Sequence, residues 1–321
     1  MAETKSLKEV YAPYFKIGAA ISYYGYQHVS DIICKHFNTV TCENEMKYAS
    51  VCSENGQYDL SKADQMYAFA MKNGIEMRGH TLMWHNQNHA PVFAGMTKEQ
   101  ILERVTEHMT LMNRHFPDLS CWDVINEVVS DSPDEFLRDT VFKQKFGDDY
   151  VRFFYGLARQ TMPGKRLVLN DYNEFIPHKR AHILQLAKSM KEEGVIDALG
   201  LQAHIRPKLI TIDDLKRTFD DYATAGLPLQ ITELDIGLPD MDDPTPVDQM
   251  SREEHEKHAE FYGRYFALLR EYSELIESVT LWGVSDDMTW LNYFRCRRPC
   301  TALLFGRDHQ PTPAFEKVID F

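Results

Sequence analysis

The feature that most constrains this chain is a repeated alternation of short apolar runs, rich in β-branched residues, with longer segments of helical character. In order the runs are FKIGAAIS (15–22), NTVTCEN (38–44), EMRGHTLMW (76–84), CWDVINEV (121–128), RLVLNDYN (166–173), ALGLQAHI (198–205), LQITELDIG (229–237) and VTLWGVSD (279–286). Runs of this length and composition read as strands. The segments between them carry helix punctuation. Thr97 with Gln100 and Ser251 with Glu254 form capping-box patterns, and Gly74, Gly194 and Gly226 stand where helices should stop. Ile101, Val105, Met109, Met112 and Phe116 recur every three or four residues, which gives one helix a single stripe to bury against a sheet. Strands with continuous apolar parts, separated by helices, make a parallel sheet covered on both faces. Eight such units close as an α/β (β/α)8 TIM barrel. No linker, repeat or low-complexity tract divides the chain, so residues 1–321 read as a single domain. An open doubly wound sheet is the alternative, but it normally carries a glycine-rich phosphate loop after its first strand, and FKIGAAISYYGYQH has no GxGxxG.

Most of these strands begin apolar and end polar or aromatic. ENEMK closes the second, GHTLMWHNQ the third, NE the fourth, NDYN the fifth, QAH the sixth, TELD the seventh and WGVSDD the eighth. A barrel gathers these ends on one face, where burying so many polar groups is costly unless they pair or meet a ligand. Glu127 and Glu233 end otherwise apolar strands. A lone strand-end glutamate usually reads as a salt-bridge partner or the base of a solvated loop. Two of them three strands apart lie across the barrel mouth from one another, and that favours a catalytic reading. Hydrolysis of a glycosidic bond needs such a pair, one carboxylic acid to protonate the leaving oxygen and one carboxylate to attack the anomeric carbon or activate water there. Trp84, Trp282 and Trp290 also fall at or just past strand ends, where flat rings stack on sugars, although core filling explains any one of them. Asn44, Lys47, His80, Asn126, Gln202 and His204 supply directional donors and acceptors for hydroxyl groups. His80 and His204 read equally well, each alone, as satisfied structural histidines.

Composition excludes other partners. A net charge of −13 repels phosphate backbones and anionic membranes, so neither nucleic acid nor a membrane surface is an expected ligand, and no run of 18 apolar residues is present. The N-terminal MAETKSLKEVYAPYFK lacks the apolar segment of a secretory signal; for a chain that starts natively here, this predicts a cytoplasmic protein. The six cysteines form no dense disulfide framework or paired CxxC zinc spacing. Cys42 and Cys121 are expected as free buried thiols, and Cys296 and Cys300 as a reduced pair.

The motifs ENEMK (43–47), RGHTLMWHNQ (78–87), WDVINE (122–127), LNDYN (169–173), GLQAH (200–204), ITELD (231–235) and WGVSDD (282–287) together resemble the family 10 glycoside hydrolases, the endo-β-1,4-xylanases, in family order and over nearly the whole chain. The resemblance implies a single (β/α)8 barrel, retention of anomeric configuration, xylan or xylo-oligosaccharide as substrate, and no metal or organic cofactor. It makes Glu127 the acid/base and Glu233 the nucleophile, with carboxyl groups about 5 to 5.5 Å apart for a retaining pair. Asn126 would bond the sugar 2-hydroxyl at the cleavage point, and Glu43, Asn44 and Lys47 would grip the next sugar outward. His80, Trp84, Gln87, Gln202, Trp282 and Trp290 would shape the innermost subsite, and Asp235 would orient His204 or its neighbours. Two departures stand out. HAPVF with Pro91 lacks the tryptophan the family often has after HNQ, and VSDDMTWL has Ser285 and no basic residue until Arg295. With the unsignalled N-terminus, these suggest the intracellular branch, acting on short imported xylo-oligosaccharides. Of the rival readings, a sugar-binding barrel without catalysis is disfavoured by the intact glutamates. A metal-dependent barrel hydrolase built on His80 and His85 is disfavoured by the absence of an HxH in the first strand.

Overall fold

The structure, a computed structural model, describes residues 5–321. Eight strands form the barrel wall: β1 (Lys16–Ile21), β2 (Thr39–Cys42), β3 (Glu76–Arg78), β4 (Cys121–Asp123), β5 (Arg166–Asp171), β6 (Ala198–Leu201), β7 (Leu229–Ile236) and β8 (Ile276–Leu281). Each is followed by a helix that packs outside: α1 (Ser30–His36), α2 (Ser61–Lys72), α3 (Lys98–His115), α4 (Tyr150–Thr161), α5 (Pro177–Glu192), α6 (Ile212–Ala223), α7 (Arg252–Glu271) and α8 (Pro313–Ile319). All neighbours pair in parallel in the order β3-β2-β1-β8-β7-β6-β5-β4.

The ring closes between β3 and β4 through a bridge centred on Gly79. Gly79 donates its N–H to the Cys121 carbonyl (3.0 Å) and accepts from the Asp123 N–H (3.1 Å). A side chain there is excluded, because a Cβ on Gly79 would stand 2.3 Å from the Trp122 ring.

Three of the eight expected runs are interrupted at their polar ends. After β3 the chain breaks and resumes at Met83–Trp84, which pairs with a resumption of β4 at Ile125–Asn126. After β6 it resumes at His204–Ile205 alongside Asp235 and Ile236. At the break after β6 the buried Ala203 adopts a positive φ of +60°. The eighth strand starts earlier than its expected limit, at Ile276, and stops at Leu281, after which Trp282 to Asp286 continue as bends and turns.

Helix signals map onto the observed ends. Thr97 and Ser251 complete reciprocal capping boxes with Gln100 and Glu254, and a third forms between Thr211 and Asp214. Gly74, Gly194 and Gly226 adopt positive φ after α2, α5 and α6. Ile101, Val105, Met109, Met112 and Phe116 are wholly buried, each contributing about 1.5–3 kcal/mol relative to exposure. Inside the lower barrel the buried Arg78 guanidinium pairs with both oxygens of Asp123 and reaches Gln230 (3.2 Å). All six cysteines are free, Cys296 and Cys300 included. Among the described residues no helix is long and apolar enough to cross a membrane.

Candidate active site

Glu127 leaves β4 in the left-handed region, with φ of +59°, a conformation that costs a non-glycine residue about 1–3 kcal/mol and persists only when the surroundings enforce it. Here they do. Its N–H donates to the Asn170 carbonyl (3.0 Å), and its carbonyl accepts from Arg138 Nε (3.1 Å). The carboxyl group then points into the mouth, where Oε1 accepts from Asn126 Nδ2 and Gln202 Nε2 (both 3.1 Å) and Oε2 from Trp84 Nε1 (2.8 Å). Burial, reinforced by the charge of Asp171, pushes the Glu127 pKa up to about 7, against the opposing bond from Gln202.

Glu233 lies in β7 on the other side. Its Oε1 accepts from Asn170 Nδ2 (2.9 Å), and its Oε2 sits 3.4 Å from His204 Nε2. The other nitrogen of His204, Nδ1, is 2.9 Å from Asp235 Oδ2, which also accepts from Trp290 Nε1 (2.7 Å). Burial alone would raise the Glu233 pKa; His204, with His80 and Asn170 beside it, outweighs burial and brings it down to about 2. Burial likewise disfavours the charged His204, but Asp235 and Glu233 outweigh it and hold His204 well above its ordinary value. One amide connects the two halves, since Asn170 Nδ2 also donates to Asn126 Oδ1 (2.9 Å). Two buried carboxyl groups with opposite protonation preferences, joined by one network, are the arrangement of an acid and a nucleophile.

The family model described as Glycosyl hydrolase family 10 matches residues 6–321. The chain belongs to this family. A curated "Beta-1,4-xylanase" from Dictyoglomus thermophilum is 38% identical over 99% of this chain and 92% of its own length. Among solved structures, a mutant in complex with xylotriose is 38% identical, with a TM-score of 0.93 and coverage of 99% of this chain and 100% of that one. An intracellular xylanase from Thermoanaerobacterium saccharolyticum is 31% identical, with a TM-score of 0.89 and 99% of each chain covered.

In this family 10 barrel most residues expected at the site are brought together. Lys47 is buried, donates to Asn44 Oδ1 (3.1 Å) and lies 4.8 Å from the centre of the Trp84 ring. Burial pulls its pKa down while Glu233, Glu43 and Glu127 push it back. Burial also lifts Glu43 to about 7 against the pull of Lys47. His80 holds Asp123 through Nδ1 (2.8 Å) and meets the Trp282 ring edge-on at 5.4 Å. A cavity of about 710 Å³ runs outward from Glu43, Asn44 and Trp290 past the exposed Tyr24 and Tyr293.

Gln87 stands apart. The chain turns through positive φ at Gln87 and His89, leaving the Gln87 side chain exposed, with no side-chain hydrogen bond among the described residues. Its neighbour Asn88 is buried instead and donates to the Trp84 carbonyl (2.6 Å). Sequence reasoning passed over Asn170, although the LNDYN motif containing it was in view, and Asp123, a charge inside an apolar run. Of the two departures, Pro91 sits in the first turn of a short helix, Ala90–Gly95. Ser285 donates to Asp287 (2.6 Å), whose other oxygen meets His309, while Arg295 pairs with Asp242. No cluster of three or more His, Cys, Asp or Glu side chains among the described residues is arranged to hold a metal ion.

Proposed function

We propose that this chain, an endo-1,4-β-xylanase of glycosyl hydrolase family 10, cleaves xylan with retention by double displacement, with Glu233 as nucleophile and Glu127 as acid/base. The observation that carries the reading is the divergence of the two carboxyl groups, Glu233 near 2 and Glu127 near 7 within one hydrogen-bonded network. Between these values the first is ionised and the second protonated, as the first step requires. A Glu233 oxygen bonds to the anomeric carbon as the glycosidic C–O bond breaks, and the Glu127 proton passes to the departing oxygen. Forming the ester removes the Glu233 charge, one of the groups that raises the Glu127 pKa, so Glu127 ionises more readily. It then takes a proton from a water whose oxygen attacks the anomeric carbon and releases the Glu233 carboxylate. Asn126 would bond the 2-hydroxyl at the cleavage point, and Asp235 would keep His204 directed at Glu233. Glu43, Asn44 and Lys47 would hold the next sugar, while His80, Trp84, Gln202, Trp282 and Trp290 close around the reacting one. Gln87 would meet substrate at the rim.

Short xylo-oligosaccharides in a reducing, cytoplasmic compartment are the proposed working substrates. Six unpaired thiols support this, as does the relative named an intracellular xylanase. The deciding experiment follows the initial product of xylotriose cleavage by NMR, alongside Glu127→Ala on substrates with good and poor leaving groups. The β anomer should appear first, and the variant should keep kcat/KM only where the leaving group needs no proton. An α product refutes retention, and equal losses on both substrates refute the two roles.

A further inference from the structure

Behind Glu127, away from the barrel mouth, lies a buried ion network that the proposed chemistry leaves unused. Asp171, at the end of β5, is 1% exposed, and Lys179, in the first turns of α5, is wholly buried. Lys179 Nζ lies 3.1 Å from Asp171 Oδ1 and 2.8 Å from Asp131 Oδ1, and 3.6 Å from the centre of the Tyr172 ring. The second oxygen of Asp171, Oδ2, accepts the N–H of Val129 at 2.9 Å, two residues past Glu127. Arg138 completes the enclosure, donating to the Glu127 carbonyl (3.1 Å) and to Asp131 (3.0 Å). The strained turn at Glu127 is therefore gripped on both sides, from β5 and from the loop that follows β4.

We propose that Asp171, with Lys179 as counter-ion, is a positioning residue for Glu127, fixing the backbone turn that aims its carboxyl group and placing a buried carboxylate behind that turn. The inference rests on Glu127 being the acid/base. The charged and titratable groups around Glu127 are Lys47 beyond β2, His85 after the resumed β3, Asp131 and Arg138 in the loop after β4, Asp171 with Lys179, and Glu233 in β7. Asp131 is partly exposed and is shared among Lys179, Arg138 and the Tyr172 hydroxyl, which screens it. Asp171 is the strongest charge acting on Glu127, ahead of Glu233. Burial raises the pKa of Asp171 itself, and the Lys179 ammonium with the Val129 and Tyr172 N–H groups works to keep it ionised. Of the groups around Glu127, only Asp171 combines complete burial of a carboxylate with a bond to the Glu127 turn.

Asp171→Asn tests this, because the amide oxygen can still accept from Val129 while the charge is gone. On xylotriose the alkaline limb of kcat/KM should move about one pH unit lower, the scale of effect for losing one nearby like charge, which reads as roughly tenfold lower kcat/KM at pH 8. On an aryl xylobioside with a good leaving group, kcat/KM should change little. If Lys179 without its partner impairs folding, Asp171→Asn with Lys179→Met removes the pair together and should move the limb in the same direction but less far, because losing the Lys179 charge opposes the shift. A limb that coincides with the wild-type enzyme, or equal losses on both substrates at every pH, overturns the proposal. Glu127→Ala run in parallel keeps the two claims separate, since equal loss on both substrates in that variant removes the acid/base assignment instead.

Discussion

Replacing Glu127 by Gln should make the protein more stable relative to the wild type as pH rises, by an amount that the structure sets. Burial and Asp171 lift this carboxyl from 4.5 to about 7, which at about 1.4 kcal/mol per pH unit amounts to about 3 kcal/mol. The folded protein binds the proton more tightly than the unfolded chain. The group therefore imposes no penalty below pH 4.5, takes away stability between 4.5 and 7, and imposes a constant penalty above 7. Gln carries no charge at any pH, but its amide turns an NH2 toward one of the three donors Asn126, Gln202 and Trp84, a mismatch costing about 1 kcal/mol. The variant should be slightly less stable than the wild type at pH 4 and about 2 kcal/mol more stable at pH 8. Urea denaturation from pH 4 to 8 measures the difference, and its change across the range, about 3 kcal/mol, does not depend on the mismatch. The pH at which the wild-type curve levels should coincide with the alkaline limb of kcat/KM. A difference that stays constant with pH would refute the claim that Glu127 is protonated because it is buried.

Glu233→Gln should show the opposite trend. The native pKa is depressed to about 2, so the stabilisation from the charged group is present above 4.5 and fades as pH falls toward 2; acid denaturation of the variant beside the wild type checks this. The same variant should lose detectable hydrolysis of xylotriose. Asp235→Asn leaves an acceptor for Trp290 but withdraws the charge that His204 faces, so kcat should fall about ten- to hundredfold. The acid limb of kcat/KM should move up as Glu233 loses its charged neighbour, and unchanged pH dependence would argue that Asp235 only packs. Gly79→Ala drives a methyl group into the Trp122 ring at the closing seam and should cost about 1–3 kcal/mol by urea denaturation. Hydrolysis should persist in the presence of a chelator, checked as the xylotriose rate before and after treatment.

Much of this barrel is legible from local spacing. A stripe such as Ile101 to Phe116, a stop such as Gly194 or a cap such as Thr97 acts through neighbours within a turn of chain, so the sequence alone locates it. The same holds for the strand-end positions of Glu127 and Glu233, because a carboxylate closing an apolar run is visible without coordinates. What local spacing could not disclose arises from partners far away along the chain. Trp84, Gln202 and Asp171 reach Glu127 from other strands, and Asn170 joins Asn126 to Glu233 only because β5 lies between β4 and β6. The breaks in β3, β4 and β6, and the positive φ that leaves Gln87 exposed, are features of the folded backbone that local spacing does not mark. Sequence determined which two carboxyl groups face each other. Tertiary structure decided which one keeps its proton, because desolvation and Coulomb interactions depend on distances in space.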